Sequence, residues 1–166
     1  MKTIQAVAVT PENWAPYGYL ADIGRPEASY GLGEYPCVFH RDMVLAPIAS
    51  TAPVAFGSLK VGKRPMVIQD VEYHSDTVEV MMPLDDDMVV HVGDANGGTP
   101  EPERLKAFLI PAGTLLVFRA GAWHGAPFPV HRDGTVLICL PERTYLNDTK
   151  KILLMETEYI GIELPE

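Results

Sequence analysis

The chain has 166 residues, which sets it at one domain long enough to bury a substantial core. Apolar residues make up 47% and charged ones 21%, a balance that argues against disorder. A formal net charge of −9 at pH 7 argues against nucleic acid or an anionic membrane surface as a partner. It leaves room for a small anionic metabolite held by a local cluster of Lys and Arg.

In chain order, residues 4–9 (IQAVAV) predict a strand. TPENWAPYG predicts a helical turn, capped by Thr10, with Pro11 at its first position and Pro16 ending it. Residues 22–36 are rich in Gly, Pro and charge and read as loop; residues 38–46 read as a strand with Asp42 in its middle. Strands are then expected over VAFGSLKV (54–61), MVIQDVEYH (66–74), TVEVMMPL (77–84, ended by Pro83) and MVVHVG (88–93). The segment 94–105 is loop, with Gly97–Gly98 inside it. KAFLIP (106–111), TLLVFRAG (114–121), GTVLICLP (134–141) and YIGIEL (159–164) complete the strands, and residues 147–158 suit either a short helix or a strand. No long 3.6-residue stripe interrupts this series, so the chain reads as one all-β barrel or sandwich over residues 1–166.

Cys139 lies in an apolar run and reads as core, whereas Cys37 suits either a buried or an exposed place; the pair makes no disulfide framework. The first residues lack the apolar centre of a secretory signal, and no apolar stretch reaches membrane-spanning length. A cytoplasmic location is expected.

The chemistry concentrates in EYHSDTVEV, residues 72–80. Glu72 and His74 are two apart and share one face of a strand. A turn at Ser75–Asp76 would start a new strand and let Glu79 converge on His74 across a hairpin. The second stretch, GTLLVFRAGAWHG, places a turn at Arg119–Gly121 and opens the next strand near His124.

Together the two stretches resemble the two motifs of the cupin superfamily, with Glu72 where a histidine is usual and Arg119 where proline is usual. TPENWAPYG, YHSDTVEVMMPL and RLKAFLIPAGTLLVFRAGAWHGAPFPV further resemble the ureidoglycolate lyase family, over most of residues 8–140. Glu79 stands where that family usually has Gln, and Gly125 where it has a second His. The resemblance implies a double-stranded β-helix (jelly-roll) barrel, a homodimer, and a role in purine metabolism. The implied reaction cleaves ureidoglycolate, or a related small ureido or hydroxy acid, to glyoxylate and urea.

Such a lyase needs a base for the carbinol hydroxyl and a proton for the departing nitrogen. His74, Glu79 and His124 are the catalytic candidates. Lys60, Arg64, Lys106 and Arg119 are candidates for binding the substrate carboxylate, and Trp123 for a wall of the pocket. A metal reading is the alternative: His74, Glu79 and His124, with Glu72 as a fourth ligand, suit Mn, Fe, Ni or Zn in an isomerase, oxygenase or metal-assisted lyase. A non-catalytic small-molecule-binding cupin is a further alternative. Substituting His124 by Ala is expected to remove activity and spare the fold. His40, His91 and His131 read as structural or solvated, Asp85–Asp87 as a solvated turn, and Met81–Met82 as core filling. No Gly-x-Ser-x-Gly signals a serine hydrolase, and the Gly-Gly pair lacks the context of a phosphate cradle.

Overall fold

A computed structural model describes residues 1–26, 30–96 and 98–165. The period-2 segments form two facing sheets. One runs β15 (Lys150–Leu153), β7 (Asp70–Tyr73), β12 (Trp123–His124), β9 (Met88–Gly93), β10 (Lys106–Ile110), β1 (Lys2–Ala8), β16 (Ile160–Glu163), β6 (Val67–Ile68), with β13 (Phe128–Pro129) also on β9. The other runs β2 (Gly18–Asp22), β11 (Thr114–Phe118), β8 (Glu79–Pro83), β14 (Gly134–Pro141), β5 (Val54–Val61). Pairing is antiparallel except where β1 lies parallel to β10 and β16. This is the all-β, cupin-like barrel that the sequence predicts.

The alternation of side chains sorts the apolar residues into separate cores. Trp14, Met88, Val90, Val92, Leu116, Phe118 and Val136 fill the space between the sheets. Val71, Tyr73, Val89, Trp123, Phe128 and Ile160 form a second core on the opposite face of the larger sheet. Strands β6 and β7 stand near opposite ends of that sheet, yet only Gln69 joins them, so the sheet curls around this second core. A third cluster covers the outer face of the smaller sheet, where Val44, Ala46 and Ile48 pack on Val80, Val117 and Cys139.

The helical turn α1 (Pro11–Trp14) forms as expected. Thr10 Oγ1 accepts from the Asn13 N–H at 3.2 Å, Asn13 Oδ1 accepts from the Thr10 N–H at 2.8 Å, and Trp14 is driven into the central core. Several expectations change. Within residues 22–36, Gly31–Glu34 (β3) is a strand, paired in a hairpin with Cys37–His40 (β4); residues 27–29 of that loop, and Gly97, lie outside the described residues. Residues 38–46 are not one strand, because Asp42 takes a left-handed backbone (φ 53°) that ends pairing after His40. GYLAD, unassigned from sequence, is β2. In residues 147–158 the strand Lys150–Leu153 is followed by a 3₁₀ turn at Glu156–Glu158. Among the described residues, no helix is long and apolar enough to cross a membrane.

Candidate metal centre

His74 follows the last residue of β7, the Ser75–Asp76 turn comes next, and Glu79 opens β8. The turn is where the spacing put it, but it joins no hairpin: β7 belongs to the larger sheet and β8 to the smaller. His74 and Glu79 therefore meet across a corner of the barrel. His124 arrives on β12, directly opposite Glu72 of β7, so it points to the same side as Glu72 and His74. The preceding turn is anchored by the Gly121 N–H donating to the His74 carbonyl at 2.6 Å. Gly121 holds φ 81° there, a conformation that strains any residue with a Cβ.

The three side chains are almost sealed from solvent, at 5%, 6% and 2% exposure for His74, Glu79 and His124. Glu79 Oε2 lies 2.8 Å from His74 Nε2 and 3.2 Å from His124 Nε2, and one ligand atom of each residue falls within 4.8 Å of the others. The far ring nitrogens are already committed. His74 Nδ1 sits 2.7 Å from the Asp148 carbonyl and 3.2 Å from Thr149 Oγ1, whose own hydroxyl donates to the Thr144 carbonyl at 3.0 Å. His124 Nδ1 sits 2.9 Å from the Ala122 carbonyl. These oxygens can only accept, so both Nδ1 atoms carry protons.

It follows that each neutral ring aims its Nε2 lone pair at a carboxylate oxygen. Acceptor facing acceptor is unfavourable unless a cation, or a proton on the rings, lies between them. With protons on the rings, burial still pushes the Glu79 carboxyl up, but the hydrogen bonds and charges of His124 and His74 outweigh it and hold the carboxyl well below its usual range. Burial likewise opposes charge on His124, and Glu79 overrides it, raising the ring. Two imidazoles oriented through Nδ1 to carbonyls, converging with one carboxylate, are the arrangement that ligates a divalent transition ion such as Mn, Fe, Ni or Zn.

The other candidates are dispersed. Glu72 is half-buried beside His124 but outside the ligand-distance group, so the triad forms without the fourth ligand. Trp123 neighbours His124 on a strand and therefore faces the second core, not the site. Its Nε1 donates to Asn96 Oδ1 at 3.0 Å, and its ring packs edge-on against Tyr73 at 4.5 Å. Lys60 lines a shallow cavity with Asp85 and Asp133. Arg64 lies over Phe128 at 4.3 Å and donates to the Ala126 carbonyl. Lys106 is exposed at the start of β10. Arg119 lies over Tyr19 at 5.6 Å, lining a groove of about 570 Å³ under residues 43–47. No described contact joins these four cations to the triad. A cavity of about 680 Å³, bounded by Asp22, Arg25, Tyr30 and Arg41, also lies away from it. Sequence reading missed Asp148 and Thr149, which orient His74. It also read His91 as structural or solvated; the ring is fully buried with neither nitrogen hydrogen-bonded among the described residues, lying where a Cβ on Gly125 would meet Nε2 at 2.8 Å.

The family model for ureidoglycolate lyase matches residues 1–160. The chain belongs to the ureidoglycolate lyase family. A curated relative from Agrobacterium fabrum, named "Putative ureidoglycolate lyase", is 28% identical over 143 residues, covering 81% of this chain and 80% of its own. Among solved structures, the dTDP-4-dehydrorhamnose 3,5-epimerase of Bacillus anthracis aligns with TM-score 0.51 at 10% identity, over 78% of each chain, and supports the fold. A dTDP sugar isomerase from Desulfovibrio desulfuricans gives TM-score 0.49 at 14% identity, over 86% of this chain and 89% of its own. Family and fold together make this a cupin-fold enzyme acting on a small polar metabolite.

Proposed function

We propose that this ureidoglycolate lyase family member is a metal-dependent cupin enzyme on a small hydroxy or ureido acid. The observation that carries the reading is the commitment of both Nδ1 atoms to carbonyls, which leaves two Nε2 lone pairs and Glu79 Oε2 converging. A divalent ion held by His74, Glu79 and His124 would supply Lewis acidity toward the oxygens of the substrate.

Family membership favours carbon–nitrogen cleavage as the reaction. In that step the carbinol O–H loses its proton, the carbon–nitrogen bond breaks to leave the aldehyde of glyoxylate, and the nitrogen gains a proton as urea departs. Glu72 suits the base: it is half-buried, shares the side of His74 and His124, and its side chain has no described hydrogen bond. Replacing Glu72 by Gln is expected to lower kcat by roughly 10²-fold, the low end for a positioned base, with metal content unchanged. Loss of metal in that variant would make Glu72 a ligand instead.

The reading is tested by elemental analysis of purified protein, with glyoxylate release from ureidoglycolate assayed before and after chelation. About one transition ion per chain is expected, with activity lost on chelation and restored by re-addition. Full activity without metal would overturn the metal role and leave Glu79 bridging two protonated rings as the acid–base device. Metal without glyoxylate release would remove ureidoglycolate as substrate and point to another small hydroxy acid.

A further inference from the structure

Asp148 reaches the site from the far end of the chain, just after the short helix α2 (Thr144–Asn147). Its carboxylate grips the turn that separates His74 from Glu79. Oδ1 accepts from the Ser75 N–H and from Ser75 Oγ, both at 2.7 Å, and Oδ2 accepts from the Asp76 N–H at 2.9 Å. The backbone carbonyl of the same residue accepts from His74 Nδ1 at 2.7 Å. Thr149 adds a second acceptor at 3.2 Å, held by its own bond to the Thr144 carbonyl. Burial opposes the Asp148 charge, but the Ser75 and Asp76 hydrogen bonds outweigh it and keep the carboxyl below its usual range.

One residue thus touches both the ring of a ligand and the turn that sets the spacing to the next ligand. We propose that Asp148, assisted by Thr149, is the positioning residue of the metal centre. It locks His74 in the Nδ1–H tautomer and fixes the 75–76 turn, so that the affinity and geometry of the centre depend on docking of the C-terminal segment. This rests on the metal reading of the triad.

A purely structural clamp offers the contrast. Asp86 Oδ2 accepts from the His131 and Arg132 N–H groups at 2.9 and 3.2 Å, with no contact to the triad. The test is a Co(II) titration of chelated protein, following d–d absorption and competition with a chromophoric chelator, with thermal melting alongside. Asp148→Ala is expected to weaken Co(II) binding roughly 10- to 100-fold and to shift the d–d bands. Asp148→Asn keeps one accepting oxygen and is expected to recover part of the affinity. Thr149→Val is expected to weaken binding less than Asp148→Ala, and Asp86→Ala to lower the melting temperature with Co(II) affinity unchanged.

Wild-type affinity and an unchanged spectrum in Asp148→Ala would overturn the proposal, whatever its melting temperature. Should that variant fail to fold, wild-type binding and spectra in both Asp148→Asn and Thr149→Val would overturn it equally. A wild-type protein that takes up no Co(II) would bring down the metal reading and this inference with it, an outcome distinct from the others.

Discussion

Glu79→Ala and His124→Ala are each expected to yield protein that retains no transition ion after dialysis. Catalysis should fall by roughly 10²- to 10³-fold, the scale for losing a charge-stabilising group in a buried site. The two variants should differ in stability. The His124 ring is 2% exposed, packs 4.7 Å from Phe118, and is one of two partners of a buried carboxylate. Its removal opens a cavity in a buried site, costing about 2–4 kcal/mol. Burial of the ring therefore replaces the expectation of a spared fold. Glu79→Gln separates charge from shape. Its amide can donate to both Nε2 lone pairs, so the metal-free variant should melt no lower than metal-free wild type while holding a divalent ion less tightly. Calorimetry with elemental analysis checks all three. A Glu79→Gln protein that melts several degrees lower without metal would mean the rings are protonated in the resting state, and the lone-pair argument would fail.

The legible part of the fold is the series of short strand-like runs set between turn residues. VAFGSLKV alternates, MVVHVG and KAFLIP are short apolar runs, and all three form strands where the sequence puts them. The triad was legible because a turn at Ser75–Asp76 is written in turn-forming residues. That this turn spans two sheets was not legible, since it depends on which distant strands pair with β7 and β8. Two misplacements had a signal that went unused. Trp123 precedes His124 on its strand and Arg119 comes directly after Phe118 at the end of β11, so if His124 and Phe118 face the interior, their neighbours face away. The groups that orient the rings, the carbonyls of Ala122 and Asp148, left no trace. Every residue has a carbonyl, and only the fold decides which one meets an imidazole.

His91 is expected to make the fold acid-sensitive. Its ring is fully buried against Phe128 in the second core, and neither nitrogen has a hydrogen-bond partner among the described residues. Burial, then the charges of His124 and Arg64, oppose its proton; Asp70 favours it, but its carbonyl stops short of hydrogen-bond geometry. The balance pulls the group from 6.5 down to about 4. As pH falls below 6.5 the unfolded chain takes up a proton that the folded chain refuses, so stability declines until the folded group titrates near 4. At 1.36 kcal/mol per unit, the loss across that window is about 3 kcal/mol. Replacing His91 by Leu removes the titration and two desolvated nitrogens, and should stabilise the protein by up to about 1 kcal/mol at neutral pH. The measurement is melting temperature against pH for both proteins. Glu79 and His124 add their own pH dependence to both curves, and only the coupling of His124 to His91 survives in the difference. The wild-type curve should drop below that of His91→Leu progressively from pH 6.5 downward. Parallel curves would mean that the buried ring finds a partner or a proton that its surroundings do not offer.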